Sequence, residues 1–131
     1  MAPVHAVEII HKIASTLQYA HSMNIFHCDV KQENILIDAS GEPHVADFGC
    51  ARRDEFGATR TMEGQVMGTP AYMSPEQASG QSHLADARSD VWSVGVMLSE
   101  LLVGARPFQG SVSLLLSKIC SEEATPIRQL D

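Results

Sequence analysis

The chain has 131 residues, of which 44% are hydrophobic and 19% are charged. These values are typical of one globular domain, and they exclude a disordered tail, a coiled coil and a collagen-like rod. Nine Lys and Arg residues stand against 16 Asp and Glu residues, so the formal net charge is -7. An acidic chain without a dominant basic patch is not expected to bind nucleic acid.

The cysteines and the start of the chain bear on its location. Cys28, Cys50 and Cys120 are scattered and form no Cys-x-x-Cys pair, so we expect neither a disulfide framework nor a structural zinc site. Reduced thiols indicate a cytoplasmic protein. The first residues do not look like a signal peptide, and the longest apolar stretch, 91–103, is too short to cross a bilayer. We therefore expect no membrane segment in this chain.

The first third of the chain predicts a helix followed by a β-hairpin. Apolar residues recur every three or four positions and predict a helix over 3–22, with Asn24 as its left-handed stop. They are Val4, Val7, Ile10, Ile13, Leu17 and Ala20. Short β-type runs at 25–26 and 35–37, with turn residues and a return at 44–46, predict strands and a hairpin.

The rest of the chain predicts a loop and then helices. Residues 50–72 have no sustained period and contain several Gly and Pro residues, which indicates a long functional loop. Ser74, Pro75 and Gln77 are typical of a capped helix start. A segment from 90 to 103, apolar on nearly every face, predicts a buried central helix.

Four short motifs follow one another along this framework. They are His27-Cys28-Asp29-Val30-Lys31-Gln32-Glu33-Asn34, Asp47-Phe48-Gly49, Gly68-Thr69-Pro70-Ala71-Tyr72 with Ser74-Pro75-Glu76, and Ser89-Asp90-Val91-Trp92-Ser93-Val94-Gly95. In this order the chain resembles the eukaryotic-type protein kinase family. The run Met73-Ser74-Pro75-Glu76-Gln77-Ala78 looks more like bacterial serine/threonine kinases than animal ones. The resemblance covers about the whole chain, as far as Cys120.

This resemblance implies an α+β fold that is mainly α. It would be a protein-kinase-like C-terminal lobe with a short β-hairpin and a long activation segment, and with the N-terminal lobe absent. Residues 1–131 would then form a partial kinase domain, from the helix before the catalytic loop to about the helix after the central one. A Gly-rich phosphate loop and a strand lysine do not precede the first helix, so we expect the missing lobe, if it is encoded elsewhere, to be a partner.

The resemblance also implies the catalytic residues, which are Asp29, Lys31, Asn34 and Thr69. Phosphoryl transfer depends mostly on positioning and on neutralising charge. Asp29 would orient or accept the proton of the substrate hydroxyl, and Lys31 would place a cation at the transferring phosphate. Thr69 would bond Asp29 and shape the substrate site. A lysine at position 31 points to Ser/Thr rather than Tyr substrates within the family.

ATP and Mg²⁺ are the cofactors that the resemblance implies. Lys31, Asn34, Leu36 and Asp47 would bind the nucleotide, with Leu36 under the adenine ring. Asn34 and Asp47 would be the metal ligands, because Mg²⁺ beside phosphates prefers oxygen donors. Phe48 would pack against His27. Asp90 would cap the catalytic loop from the central helix, which is a structural role.

Two positions depart from the family pattern. Cys28 stands where the family has an arginine that receives a phosphorylated activation-loop residue, so phosphate on Thr59 or Thr61 would lack its main receiver. The family also pairs the glutamate corresponding to Glu76 with a later arginine, for which this chain offers no suitable residue. We therefore expect Glu76 to lack its partner, which is costly for a buried carboxylate.

The leading hypothesis is a fragment of a protein serine/threonine kinase that transfers the ATP γ-phosphate to Ser or Thr hydroxyls of a protein substrate. The alternative is a catalytically inert kinase remnant that acts as a protein-binding module through exposed leucines at Leu114, Leu115 and Leu116. A small-molecule phosphotransferase of related fold is disfavoured, because the segment from Gly68 to Glu76 is typical of the branch that holds a polypeptide.

Overall fold

Helices dominate the fold, with two small pairs of antiparallel strands between them. A computed structural model describes residues 1–48, the backbone of residues 52–53, and residues 69–130. The elements in these ranges are α1 (Pro3–Ser22), β1 (Ile25–Phe26), β2 (Ile35–Ile37), β3 (Pro43–Val45), β4 (Arg52–Arg53), α2 (Pro75–Ala78), α3 (Ala87–Val103), α4 (Val112–Ser121) and α5 (Ile127–Leu130), with 3₁₀ turns at Gln32–Asn34, Pro70–Tyr72 and Ser82–Leu84. The mainly helical α+β content is as predicted.

Helix α1 has the predicted bounds but turns a different face to the core. It ends before Asn24, whose φ of 56° is left-handed as expected. The predicted apolar stripe is wrong at its start, because Val4 and Val7 are 73% and 55% exposed. The buried residues of the helix are Ala6, Ile9, Ile13 and Leu17. Two stripes of the same spacing overlap in this sequence, and packing against α3 decides which one is buried.

The predicted hairpin is formed by β2 and β3, with Ile35 opposite Val45. Its return strand begins at Pro43, one residue earlier than predicted. Asp38 organises the turn, since its Oδ1 accepts the backbone N–H of Ser40 at 2.9 Å. Hydrogen bonds from the side chains of Ser40 and His44, and then from the Glu42 backbone, hold the pKa of Asp38 well below its usual range.

A second strand pair joins the segment before the first motif to the segment after Asp47-Phe48-Gly49. Strands β1 and β4 are antiparallel, with Ile25 opposite Arg53 and Phe26 opposite Arg52. The prediction of an unbroken loop over 50–72 is therefore wrong at β4, and wrong again at the 3₁₀ turn Pro70–Tyr72. The rest of that predicted loop, with Cys50, Thr59 and Thr61, lies outside the described residues.

Helix α3 runs through the centre, but it is not buried on every side. Val91 is 66% exposed, so the predicted burial all round is wrong. Small polar residues occupy much of the buried face instead, and Ser93 donates its hydroxyl to the Tyr72 carbonyl at 2.7 Å. A serine whose hydroxyl is satisfied can be buried at a close helix contact, and a hydropathy pattern does not show this.

The predicted capped start of α2 is present, but the predicted exposed leucine surface on α4 is only partly so. The Gln77 side-chain oxygen accepts the Ser74 N–H at 3.1 Å, and Pro75 takes the first helical position, as predicted. In α4, Leu115 is 6% exposed and belongs to the core, while Leu114 is 49% exposed. The prediction that the three leucines form one exposed surface is therefore wrong at Leu115.

In the part of the chain that the structure describes, each helix is too short or too polar to cross a membrane.

Candidate active site

One buried carboxylate fixes the loop that carries the first motif. Asp90, on α3, is 1% exposed. Its Oδ2 accepts the backbone N–H of His27 and its Oδ1 accepts that of Cys28, both at 2.9 Å. The Nε2 atom of His21, at the end of α1, lies 2.7 Å from Asp90 Oδ2. The loop is thus held between α1 and α3, with Asp90 placed as the resemblance implies.

Cys28 is held in an uncommon backbone conformation. Its φ of 68° is left-handed, which is unfavourable for a residue with a β-carbon. Asp90 binds its N–H, and the side-chain amide of Gln77 donates to its carbonyl oxygen at 2.8 Å. Both bonds hold the turn that presents Asp29. The sequence predicts Gln77 only as part of a helix cap and gives His21 no role, because a local pattern does not reveal a partner dozens of residues away.

Asp29, Lys31 and Thr69 form a bonded cluster. The Asp29 Oδ1 atom accepts the Thr69 N–H at 3.0 Å and the Thr69 hydroxyl at 2.9 Å. The Lys31 ammonium donates to the Thr69 hydroxyl oxygen at 2.7 Å and lies 3.6 Å from Asp29 Oδ2. The predicted contact between Thr69 and Asp29 is present. A carboxylate with one oxygen fixed by two donors and the other beside a cation is held in a single orientation.

Asn34 and Asp47 are brought to neighbouring positions. Asn34 is 6% exposed and donates its amide to the Asp29 carbonyl at 2.8 Å. The backbone carbonyl of Asn34 accepts the Ala46 N–H at 2.8 Å. Asp47, which follows Ala46, is therefore close to Asn34. Asp47 has a left-handed φ of 58° and an exposed side chain. An amide oxygen and a carboxylate are donors that suit Mg²⁺.

These two residues would not make a metal site alone. The described residues contain no group of three or more His, Cys, Asp or Glu side chains that could hold a metal ion. Mg²⁺ commonly takes one or two protein oxygens and completes its shell with water and substrate phosphates. The donor set therefore fits a metal that arrives with a phosphate ligand.

His27 links the two motifs on either side of the hairpin. Its ring lies 4.5 Å from the Phe48 ring, centroid to centroid. Its Nδ1 accepts the Asp29 N–H at 3.1 Å, and its Nε2 is 2.9 Å from the Ala46 carbonyl oxygen. A ring that accepts at Nδ1 and donates at Nε2 satisfies both contacts as the neutral tautomer. The predicted packing of Phe48 on His27 is present.

The remaining predicted residues have the following surroundings. Leu36 lies on β2 and is 57% exposed. Glu76 is half-buried and accepts the Ser89 hydroxyl. A neutral hydroxyl thus satisfies one of its oxygens, a partner that the sequence did not suggest, and the expected lack of an arginine partner stays a prediction.

A further charged cluster was not predicted. Both Glu100 carboxylate oxygens accept the Tyr72 hydroxyl, at 2.8 and 2.9 Å, and Arg106 Nε lies 3.3 Å from Glu100 Oε2. Burial, followed by the hydrogen bond to Glu100, raises the pKa of Tyr72 well above its usual range. This cluster adjoins the 3₁₀ turn that follows Thr69.

Comparisons with known proteins agree with these motifs. The sequence model of the family described as protein kinase domain matches residues 1–129. Serine/threonine-protein kinase PknB of Mycobacterium leprae is 44% identical over 110 residues, which are 84% of this chain and 17% of that protein. Probable serine/threonine-protein kinase PknB of Bifidobacterium longum is 43% identical over 116 residues, 87% of this chain and 16% of that protein.

A plant protein is similar over a shorter stretch. Mitogen-activated protein kinase kinase kinase 17 of Arabidopsis thaliana is 42% identical over 102 residues, 78% of this chain and 26% of that protein. The chain therefore spans between about a sixth and a quarter of the length of the curated relatives it matches.

Proposed function

Because this chain belongs to the protein kinase family, we propose that it forms the catalytic-loop part of a protein serine/threonine kinase, which transfers the γ-phosphate of ATP to Ser or Thr hydroxyls of proteins. The observation that carries the proposal is the bonded cluster of Asp29, Lys31 and Thr69. Such a cluster presents a fixed carboxylate and a fixed cation to the same small space, which is what phosphoryl transfer requires.

Each side chain of the cluster takes one role in this proposal. Thr69 holds Asp29 Oδ1, which leaves Oδ2 as the atom that orients the substrate hydroxyl and receives its proton. Lys31, 3.6 Å from that oxygen, stabilises the negative charge on the phosphoryl group as it moves. Asn34 supports the loop by donating to the Asp29 carbonyl.

We assign Mg²⁺ to the amide oxygen of Asn34 and the carboxylate of Asp47. When bound, Mg²⁺ neutralises phosphate charge. Lys31 adds a second positive charge nearby, and Leu36 offers an exposed apolar surface on which a nucleotide base can lie. The hydrogen bond from the Ala46 N–H to the Asn34 carbonyl oxygen holds together the two chain segments that carry these ligands.

We further propose that this chain corresponds to a C-terminal kinase lobe and that a second protein part covers its nucleotide side. Leu36, Ile37 and Phe48 are 57%, 54% and 37% exposed. Because consecutive strand residues point to opposite faces, Leu36 and Ile37 leave exposed apolar surface on both faces of β2, and such surface favours a covering partner. The cytoplasmic location stays a prediction from the cysteine pattern.

The inert, partner-binding alternative has less support. Its proposed docking leucines are divided between core and surface, with Leu115 packed inside. By contrast, the four proposed catalytic residues have the side chains and hydrogen bonds that phosphoryl transfer needs. They are Asp29, Lys31, Asn34 and Thr69. We therefore retain the kinase as the proposed function.

The test is the substitution Asp29→Asn in this chain joined in frame to the N-terminal half of a related kinase domain. Turnover of protein substrate should fall by about 10²- to 10⁴-fold, because the proton acceptor is lost while the shape is kept, and the affinity for Mg-ATP should change little. Glu8→Gln, an exposed carboxylate on α1, is the matched control and should leave turnover unchanged. An Asp29→Asn variant as fast as the parent would refute the assignment.

A further inference from the structure

A polar cavity of about 260 Å³ opens beside the turn that follows Thr69. Ala71, from that turn, lines one side, and Gln109, Gly110 and Leu115 line the other. Arg106 is the one charged residue among the described residues that line it. A cavity with a single cation in its wall offers one strong polar contact, and that contact suits an anion.

The carboxylate of Glu100, which pairs with Arg106, binds mainly the Tyr72 hydroxyl. Glu100 does not line the cavity, and both of its oxygens accept the Tyr72 hydroxyl. Arg106 Nε lies 3.3 Å from Glu100 Oε2, and the Arg106 guanidinium carbon lies 5.8 Å from the centre of the Tyr72 ring. Guanidinium has five N–H donors, so those on the terminal nitrogens remain for a ligand. The Arg106 side chain is 44% exposed.

We propose that this cavity recognises an acidic side chain of the protein substrate, with Arg106 as the residue that binds its carboxylate. The inference rests on the proposed function, since it places a substrate hydroxyl at Asp29. A terminal guanidinium edge binds a carboxylate through two N–H groups more strongly than it binds a neutral side chain.

The position of the acidic residue follows from the length of the chain between the two sites. The Thr69 N–H is 3.0 Å from Asp29, and Ala71 lies two residues further on. Two residues extend at most about 7 Å, so Ala71 in the cavity wall lies at most about 10 Å from the catalytic carboxylate. An extended peptide covers this distance in about three residues. We expect the acidic residue two to four positions from the phosphorylated hydroxyl.

The overall charge of the chain makes this preference specific to the cavity. A net charge of -7 repels acidic peptides in general. Lys118 adds a second cation near the cavity rim, because its ammonium donates to the Gln109 carbonyl at 3.0 Å. Tighter binding of an acidic peptide would therefore report local contacts against the field of the whole chain.

The experiment measures the binding of fluorescent peptides to the full 131-residue chain by anisotropy. Each peptide carries one Ser, with Glu, Ala or Lys two to four positions away. The Glu peptide should bind about 3- to 10-fold more tightly than the Ala peptide, and the Lys peptide more weakly. Arg106→Gln should abolish the difference. Gln109→Glu, which leaves the Arg106–Glu100 pair in place, should also reduce or reverse it.

Arg88→Gln is the matched control. It removes the same charge from an exposed arginine that pairs with Asp86 away from the cavity, and it should keep the preference. Equal affinity for the Glu and Ala peptides, no binding of any peptide, or an equal loss in Arg88→Gln would overturn the proposal. The result is independent of phosphate transfer. The chain could prefer Glu peptides while the parent fusion of the Asp29 experiment transfers no phosphate. That result would refute the proposed function but would support acidic-peptide binding at this cavity.

Discussion

Asp90 holds the loop that carries Asp29 by accepting its backbone N–H groups. Its carboxylate is 1% exposed and accepts two backbone N–H groups while touching His21. Removing a carboxylate from such a place leaves buried donors unsatisfied, which costs more than the bonds themselves contribute. The loop that carries Asp29 therefore depends on a side chain that takes no part in the chemistry.

Replacing Asp90 by alanine should lower the free energy of unfolding by about 3 kcal/mol, since two amides and an imidazole lose their partner. Urea denaturation at pH 7 measures the change. Glu123→Ala removes an exposed carboxylate and should change stability by less than about 0.5 kcal/mol. Equal effects of the two substitutions would show that Asp90 is not the anchor.

Tyr72 should make the fold sensitive to alkali. Its pKa is raised in the folded chain by burial and by Glu100, so the neutral phenol is favoured there. The stability it contributes is fully present below the ordinary tyrosine pKa of about 10 and is lost as pH rises above that value. Urea midpoints from pH 8 to 11 should fall more steeply in the parent than in Tyr72→Phe. Tyr19→Phe, which changes a 70% exposed ring, should follow the parent.

At the scale of elements, α3 organises the molecule through one face. That face buries Val96 and Met97 at 3% and 1% exposure, and it also carries the serines and Asp90. Val91 points away from it. Apolar residues on the opposite side raise the mean hydropathy of the helix but bury no surface in the described core.

A pair of identical substitutions separates the two faces. Val96→Ala should cost about 2 kcal/mol, because buried methyl groups are lost and a small cavity remains. Val91→Ala should cost less than about 0.5 kcal/mol, with the same change in helix propensity. Thermal or urea unfolding measures both. A cost at Val91 as large as that at Val96 would contradict the burial pattern of α3.

At the scale of the whole molecule, apolar side chains remain uncovered beside the proposed nucleotide site. Leu36 and Ile37 lie next to each other on β2, and both are more than half exposed. Their side chains point to opposite faces of the strand, so each face of β2 carries one exposed apolar residue. Exposed apolar surface promotes association and binds apolar dyes.

The double substitution Leu36→Thr/Ile37→Thr should lower the fluorescence of a bound apolar dye and reduce self-association in sedimentation. Threonine is β-branched, which suits a strand at both positions. Val112→Thr changes a single exposed apolar residue on α4, 60% exposed, and should have the smaller effect. Unchanged dye binding in the double variant would show that Leu36 and Ile37 are not the surface that binds the dye.

Local patterns predicted much of this architecture, and long-range contacts explain what they missed. The helix over 3–22 and the α2 start depend on neighbours within four residues, and the hairpin depends on a turn that joins residues at most ten positions apart. The structure contains each of them. The motifs also selected Asp29, Lys31 and Thr69, which the fold brings together. The burial of Val4 and Val7 was predicted wrongly because two stripes share one period.

Other features depend on residues far apart in the chain. Partnerships such as His21 with Asp90 or Tyr72 with Glu100 leave no local pattern, because 69 and 28 residues separate the partners. The exposure of Val91 depends likewise on which elements pack around α3. Such contacts are set by tertiary packing, which propensity and periodicity do not encode.

The distance between Asp90 and the loop it binds also sets an order of events during protein synthesis. His27 and Cys28 lie 63 and 62 residues before Asp90 in the chain. At about 5–20 residues per second, a ribosome needs roughly 3 to 12 s to translate that interval. Throughout it, the nascent chain contains Asp29 and Lys31 without the carboxylate that gives their loop its shape. Asp29 and Lys31 are therefore synthesised well before their loop can take its folded shape.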